Sequence, residues 1–323
     1  MDIIASGSNT IEEPLVMAIG TFDGIHLGHQ QLIKTLKDKA SLYKCASAIY
    51  TFDRHPLNVL CPDKTPALLM NNKQKLSVLR QYGIDYVILN EFNKAFADTP
   101  ADKFVNNILF GLYDVKSVIV GFDFTFGYKG QGNAQLLKDE GRKRGIDVVI
   151  VPPVKVNGIT VSSSLIRRLV SDGCVEEAAC YLGRPFALLG EVHTGHKIGH
   201  KLGFPTANLT PDPEVVVPRR GVYATEVVIS GMEGIWKAVT NIGTRPTFND
   251  THISVETHIL DYGGWLYGRE LEIRFISRLR DEMSFSSPKQ LVRQIREDID
   301  RAREVLENLD KASSASQSSS ESH

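Results

Sequence analysis

The first residues with a chemical signature are two histidines three apart, His26 and His29, with Gly28 between them. They lie in Gly20-Thr21-Phe22-Asp23-Gly24-Ile25-His26-Leu27-Gly28-His29, directly after the apolar run Val16–Ile19 and directly before a helical pattern. Glycines let backbone approach a phosphate closely, and a helix N-terminus offers free N–H donors and a partial positive charge. Both imidazoles can then face one bound anion. That suits nucleotidyl transfer, where charge builds on phosphoryl oxygens and on departing pyrophosphate. A hydroxyl-rich stretch, Val161-Ser162-Ser163-Ser164-Leu165-Ile166-Arg167, stands at another strand-to-helix crossing. Its groups can hold triphosphate oxygens with Arg167 neutralising charge, or the serines can simply cap a helix.

A second constellation lies further along. Gly195, Gly199 and Gly203 recur every four residues, with Lys197 and other basic side chains between them, and lead into Pro205-Thr206-Ala207-Asn208. No Gly-Lys-Ser/Thr ends the run, so it is not a Walker A loop. A phosphate flap of backbone N–H groups and a basic, flexible loop are both compatible with it.

The elements that must position these residues follow from the patterning. Strand-like runs at Val16–Ile19, Ala46–Phe52, Tyr86–Leu89, Val118–Val120 and Val148–Val151 alternate with helical patterns at Gln30–Tyr43, Asn72–Tyr82, Ala101–Phe110 and Ala134–Arg144. That alternation predicts a parallel sheet covered by helices on both faces, with ligands beyond the carboxyl ends of the strands. Ser162–Arg168 opens a further helix and Val175–Tyr181 a short one. The pattern changes at Gly183-Arg184-Pro185. Ala187–Val192, Gly221–Ile229, Ile235–Thr240, Ile253–Ile259 and Glu270–Ser277 then predict an antiparallel barrel or sandwich. A last amphipathic helix is predicted from Ser287 to about Leu309, and disorder in the Ser-rich tail from Ser313. The expected domains are 1–183 and 184–311, with the tail 312–323.

Bulk properties narrow the class. A chain of 323 residues favours two domains. A net charge of −1 argues against a generic nucleic-acid or membrane binder. The four cysteines, Cys45, Cys61, Cys174 and Cys180, form no CxxC pair and read as free thiols in a reducing compartment. Neither a signal peptide nor an apolar run long enough to cross a membrane is evident, so a cytoplasmic protein is expected. The sequence leaves a homo-oligomer open.

Gly20–His29 resembles the signature of the HxGH nucleotidyltransferase superfamily. With Phe22-Asp23-Gly24 it is similar to the adenylyltransferase domain of prokaryotic bifunctional riboflavin kinase/FAD synthetases. Thr51-Phe52-Asp53-Arg54-His55-Pro56, Gly121-Phe122-Asp123-Phe124-Thr125-Phe126-Gly127 and Ser162–Arg167 match that family in order. The resemblance implies an α/β fold: an N-terminal Rossmann-like nucleotidyltransferase domain, then a riboflavin-kinase β-barrel with a terminal helix. It implies that His26 and His29 bind ATP phosphates and stabilise the transition state. Gly20, Phe22, Asp23 and Gly24 would form the ATP loop, Ser163, Ser164 and Arg167 would complete the phosphate site, and Asp123 would contact nucleotide. His55, Pro56 and Phe126 are expected near the flavin ring. Arg54 stands where the family commonly has Pro, Ser164 where it has Thr, and Asp123 where some members carry an amide.

In the second half, Pro205-Thr206-Ala207-Asn208 resembles the PTAN motif of riboflavin kinases. Asn241–Phe248, Val255–Leu260 and Phe275–Glu282 match the same family. The resemblance implies that Gly195, Lys197, Gly199, Gly203 and Pro205 bind ATP phosphates. It puts Thr206 and Asn208 at Mg²⁺, Asn241 and Arg245 at the flavin, and Glu256 as catalytic base. His200 replaces an Arg often seen in this loop. Riboflavin, FMN, FAD and ATP are the expected partners, with Mg²⁺ as cofactor. Phosphorylating riboflavin calls for a base, because its 5′-hydroxyl is neutral. Adenylylating FMN calls for none, because the FMN phosphate is already mostly dianionic. Two rival readings are a nucleotidyltransferase for another phosphate substrate and a flavin-binding paralogue with one inactive site. The stretches around Thr206 and Glu256 argue against the first, and chromatography of flavins after incubation with ATP separates the second.

Overall fold

The structure is a computed structural model and describes residues 1–5, 11–194, 202–247 and 250–320. It divides into two units, Met1–Ser163 and Ser164–His323.

In the first unit the strands are β1 (Asp2–Ala5), β2 (Leu15–Ile19), β3 (Ala46–Phe52), β4 (Tyr86–Asn90) and β5 (Val115–Gly121). A two-residue ladder, β6 (Thr125–Phe126) with β7 (Gly132–Asn133), precedes β8 (Asp147–Val151), and a hairpin of β9 (Lys155–Val156) and β10 (Ile159–Thr160) follows it. The main sheet runs β1-β4-β3-β2-β5-β8, and every pairing in it is parallel. A parallel strand covered on both faces must be apolar on both, which is why β2 reads as an unbroken run. Its alternate residues split between two cores. Leu15, Met17 and Ile19 join Phe104, Val105 and Leu137 on one face. Val16 and Ala18 join Leu32, Ile33, Leu36 and Leu79 on the other.

The helices of this unit are α1 (Leu27–Tyr43), the short α2 (Leu57–Leu60), α3 (Asn72–Gln81), α4 (Lys94–Ala97), α5 (Ala101–Lys103) and α6 (Ala134–Lys143). Helix α1 begins at Leu27 rather than Gln30, because His26 caps it. The single helix predicted over 101–110 is instead α5 running into a π-helix, Phe104–Leu109, with Phe110 N–H bonded to Val105 O at 3.0 Å. Asn106 and Asn107 are poor α-formers, and the wider turn still buries Phe104, Val105 and Leu109.

Helix α7 (Ser163–Asp172) opens on the last residue of the first unit, and α8 (Val175–Leu182) follows in the second. The barrel strands are β11 (Phe186–His193), β12 (Ala207–Leu209), β13 (Gly221–Ile229), β14 (Trp236–Thr247), β15 (Asp250–Ile259) and β16 (Glu270–Arg280). They close in the order β11-β12-β15-β14-β13-β16, so the barrel-or-sandwich alternative resolves as a barrel. Strand β12 escaped the pattern reading because three residues carry too little alternation to register. Inside the barrel Thr225, Thr240 and Thr257 form a ladder of hydroxyls, with oxygens 2.8 and 3.0 Å apart, which satisfies groups that are at most 1% exposed.

Helix α9 (Pro288–Ser320) packs Ala302 and Leu306 on Val222, Ala224 and Leu279, outside the barrel. It continues past Leu309 to Ser320; Ala312 and Ala315 favour helix, and no Gly or Pro stops it before Ser320. Asp298 on α9, with 4% of its side chain exposed, takes a bidentate grip from Arg280 on β16 at 2.7–2.9 Å.

Candidate functional site

The parallel sheet explains why motif stretches distant in sequence belong together. The strand order reverses at β2, between β3 and β5, and all strands end on one edge. In such sheets ligands bind in the crevice beyond that edge. Gly20–His26 follows β2, Asp53–Pro56 follows β3, Phe122–Phe126 follows β5, and Ser162–Ser163 follows β8 and its hairpin. These four strands are consecutive neighbours in the sheet.

His26 is the N-cap of α1. Its Nδ1 accepts from His29 N–H at 3.3 Å, and the two rings stack with centroids 3.8 Å apart. Because Nδ1 accepts, the neutral ring carries its proton on Nε2. Gly28 is required by this geometry: a Cβ there would stand 3.1 Å from Cε1 and Nδ1 of His26. The His-x-Gly-His spacing therefore has a local cause. Phe22 packs its ring 5.2 Å from His29 and is itself fully buried, so its side chain supports the pair from beneath.

The loop before the cap is strained. Phe22, Gly24 and Ile25 have φ of +50°, +83° and +40°. Each such non-glycine residue costs about 1–3 kcal/mol and persists only where the surroundings over-determine it. Here they do. Asp23 Oδ1 accepts from Leu69 N–H at 2.8 Å, and Asp23 O accepts from the Ser163 hydroxyl at 2.9 Å. Thr21 O accepts from the Thr51 hydroxyl at 3.1 Å, and Ile25 O from Gln30 Nε2 at 3.0 Å. Asp23 is 4% exposed; it shapes the loop.

Beyond β3, Asp53 accepts from Phe92 N–H at 2.9 Å and from Arg54 Nη2 at 2.9 Å. Burial pushes its carboxyl up, but these bonds and the Arg54 charge more than offset that and leave it below the ordinary range. Arg54, where proline is common, thus folds back onto its neighbour. His55 Nδ1 accepts from Leu57 N–H at 3.1 Å, and Pro56 caps α2. In the same segment the buried acceptor Asn58 Oδ1 has no hydrogen-bond partner among the described residues. Phe126 is 8% exposed and packs on Phe104 and Phe124 in the core, whereas Phe122, to which the sequence assigned no role, is 50% exposed. Asp123 is exposed and lies over Gly121, where a Cβ would come within 3.1 Å of its Oδ1.

Sequence reasoning missed Lys75. This lysine of α3 is 7% exposed, and its ammonium donates to Phe52 O at 3.3 Å. Burial drives its pKa down to about 8, against the pull of Asp23 and Asp53. The available signal was a lysine four residues before Leu79, inside the stripe that faces the sheet. Ser164 is exposed and Arg167 half-buried on α7, both within the second unit.

In the barrel, register assembles the second constellation. Asn208 of β12 pairs with Glu256 of β15, which pairs on its other side with Asn241 of β14. Residues directly opposite share a face, so the three side chains stand in one row, all half-buried. Val255 and Thr257, on either side of Glu256, are buried on the opposite face. Thr206 precedes β12, and its carbonyl accepts from Asn208 Nδ2 at 3.4 Å. A Cβ on Gly243 would stand 2.4 Å from Glu282 Oε1 and 3.3 Å from Asn241 Nδ2, so glycine there admits a second carboxylate beside the row. Glu282 was not singled out from sequence. Gly203 has φ +87°. Arg245 lies on β14 opposite His252. Gly195, Lys197 and Gly199 lie outside the described residues.

Comparison with known proteins gives a consistent picture. A family model described as FAD synthetase matches residues 8–165, and one described as riboflavin kinase matches 182–306. The chain is 36% identical to the bifunctional riboflavin kinase/FMN adenylyltransferase of Escherichia coli K12, over 93% of this chain and 95% of the relative. It is 35% identical to the protein of that name from Bacillus subtilis, over 92% and 94%. A crystal structure described as a macrolide-efflux protein from Streptococcus pneumoniae superposes with a TM-score of 0.85 at 30% identity, covering 93% of this chain and 98% of that one. Among the described residues, no helix is long and apolar enough to cross a membrane.

Proposed function

The chain belongs to the bifunctional riboflavin kinase/FMN adenylyltransferase family, and on that premise we propose which residues carry each of its two reactions. The enzyme phosphorylates riboflavin to FMN with ATP and adenylylates FMN with a second ATP, releasing pyrophosphate. We assign the adenylyltransferase to residues 1–183 and the kinase to 184–311.

In the kinase step the riboflavin 5′-hydroxyl attacks the γ-phosphorus of ATP and ADP leaves. Glu256 accepts the hydroxyl proton, flanked by Asn208 and Asn241. We assign Asn241 and Arg245 to the flavin, and Gly195, Lys197, Gly199, Gly203, Pro205, Thr206 and Asn208 to the phosphates. The hydroxyl of Thr206 and the amide oxygen of Asn208 are hard oxygen donors that would suit Mg²⁺. Bound there, Mg²⁺ would supply charge neutralisation at the transferred group. Among the described residues no cluster of three His, Cys, Asp or Glu could hold an ion without the nucleotide's help.

In the adenylylation step an FMN phosphate oxygen attacks the α-phosphorus of ATP, and the bond to pyrophosphate breaks. No proton need be removed. His26 Nε2 and His29 donate to the phosphate oxygens from the first turn of α1, while the loop Gly20–Gly24, Asp123, Ser163, Ser164 and Arg167 hold the nucleotide. His55 and Pro56 border the flavin, joined by the exposed Phe122, with Phe126 supporting them from the core; Asn58 Oδ1, unpaired among the described residues, is an acceptor for a flavin N–H. Four free cysteines and a net charge of −1 support a cytoplasmic enzyme without nucleic-acid or membrane partners.

The carrying observation is the separation of chemistries: a carboxylate within an Asn-Glu-Asn row on the barrel, and a stacked imidazole pair on a helix N-terminus in the parallel-sheet unit. Glu256→Ala should abolish FMN formation and spare conversion of supplied FMN to FAD, and His29→Ala should do the reverse, both read by chromatography of the flavins. Loss of both activities in either folded variant overturns the assignment.

A further inference from the structure

The register of β12 against β15 places Ala207 opposite Thr257 and Asn208 opposite Glu256. Continued by one step, it would place Thr206 opposite His258 and Pro205 opposite Ile259, but the ladder stops at Ala207. Proline has no N–H to donate, so the backbone cannot latch this segment at Pro205. A side chain takes over where the ladder ends. His258 Nδ1 lies 2.7 Å from Pro205 O, and the Phe204 ring packs edge-on against the imidazole, with centroids 5.8 Å apart. A carbonyl oxygen can only accept, so Nδ1 carries the hydrogen. His258 is two residues from Glu256 and on the same face of β15. Thr206 is thereby held between two fixed points: the His258 tether at Pro205 and the Asn208–Glu256 pairing.

We propose that His258 is a positioning residue of the kinase site, whose Nδ1–H bond to the Pro205 carbonyl sets Thr206 and Asn208 in place for the metal–nucleotide. The proposal rests on the assignment of Thr206 and Asn208 made above. It extends the base-bearing strand's task. Glu256 acts on the acceptor hydroxyl, and two residues on the same strand aligns the donor side, so one strand sets the approach of both reactants.

The test uses the full chain with His258→Ala, His258→Asn and Thr206→Ala. The amide nitrogen of asparagine stands close to where Nδ1 does, so it can donate to the same carbonyl. His258→Ala should raise the half-saturating Mg²⁺ and the KM for ATP of FMN formation about tenfold, the loss expected of one good hydrogen bond. The KM for riboflavin should stay within about twofold, and conversion of supplied FMN to FAD should be unchanged. Independently of activity, calorimetric titration with Mg-ADP should show one of two dissociation constants weakened about tenfold in His258→Ala. His258→Asn should return both constants to within about threefold of the parent. If Thr206→Ala weakens Mg-ADP binding but His258→Ala does not, the tether is refuted and the metal assignment stands. If Thr206→Ala leaves Mg-ADP binding and half-saturating Mg²⁺ unchanged, the underlying assignment fails instead. If Ala and Asn variants lose riboflavin and nucleotide affinity equally, His258 is merely structural and the proposal is overturned.

Discussion

Lys75 keeps an amine at 7% exposure beneath the β3 edge, and replacing it with methionine should stabilise the first unit while slowing FAD formation. Burial lowers its pKa from 10.5 to about 8, even with Asp23 and Asp53 nearby. At about 1.4 kcal/mol per unit, keeping the charge in the folded state costs about 3 kcal/mol. The sign follows from proton counting. Below pH 8 folded and unfolded chains are both protonated and the cost is full. Between about 8 and 10.5 the unfolded chain binds more protons than the folded one, so stability rises with pH and the cost disappears. Methionine keeps the stem's bulk without the charge. Lys75→Met should therefore gain about 3 kcal/mol at pH 7, a rise in urea midpoint of about 1.5 M at a slope of about 2 kcal/mol/M. By pH 10.5 the gain should vanish, or reverse by about 1 kcal/mol, as the neutral amine still donates to Phe52 O. The assay has an internal control, because both tryptophans, Trp236 and Trp265, lie in the second unit. Far-UV circular dichroism should show a shifted transition while tryptophan fluorescence does not. FAD formation should fall, because the bond to Phe52 O and the charge beside Asp23 and Asp53 steady the loops after β2 and β3; a stabilising change that lowers activity is the usual trade at a functional site. A lower midpoint at pH 7, or a gain that does not change up to pH 10.5, refutes the reasoning.

Gly28→Ala puts a Cβ 3.1 Å from the His26 ring and should cut FAD formation from supplied FMN by about tenfold to a hundredfold, leaving FMN formation unchanged in the same chromatographic assay. Asp298→Ala strands Arg280 without its buried partner and should cost the barrel unit about 3–5 kcal/mol, read as a lower urea midpoint by tryptophan fluorescence. The first unit's transition, read by circular dichroism, should stay where it is.

Several features of the sites could be read locally because their causes are local. The glycine between the histidines and the helix that follows them lie within one short stretch, so spacing carried them, whereas the His26 cap and the positive φ of Phe22 and Ile25 appear only in the folded loop. Lys75 was not legible, because its significance lies in the carboxylates of two other loops brought against it. The burial of Phe126 and the exposure of Phe122 were not legible either. Four residues apart in one motif, they are separated only by which of them reaches Phe104 in the core. Glu282 and His258 lay within recognised stretches, yet their neighbours, Gly243 and Pro205, come from distant segments.

The sequence by itself determined the alternation of strands and helices, the change of pattern near Gly183, the family and the two reactions, since apolar period and motif chemistry are properties of contiguous residues. Tertiary structure alone decided the strand order that lines up the ends of β3, β2, β5 and β8, and the register that sets Asn208, Glu256 and Asn241 in one row. Pairing across tens of residues depends on which buried faces fit together, and no local pattern records that.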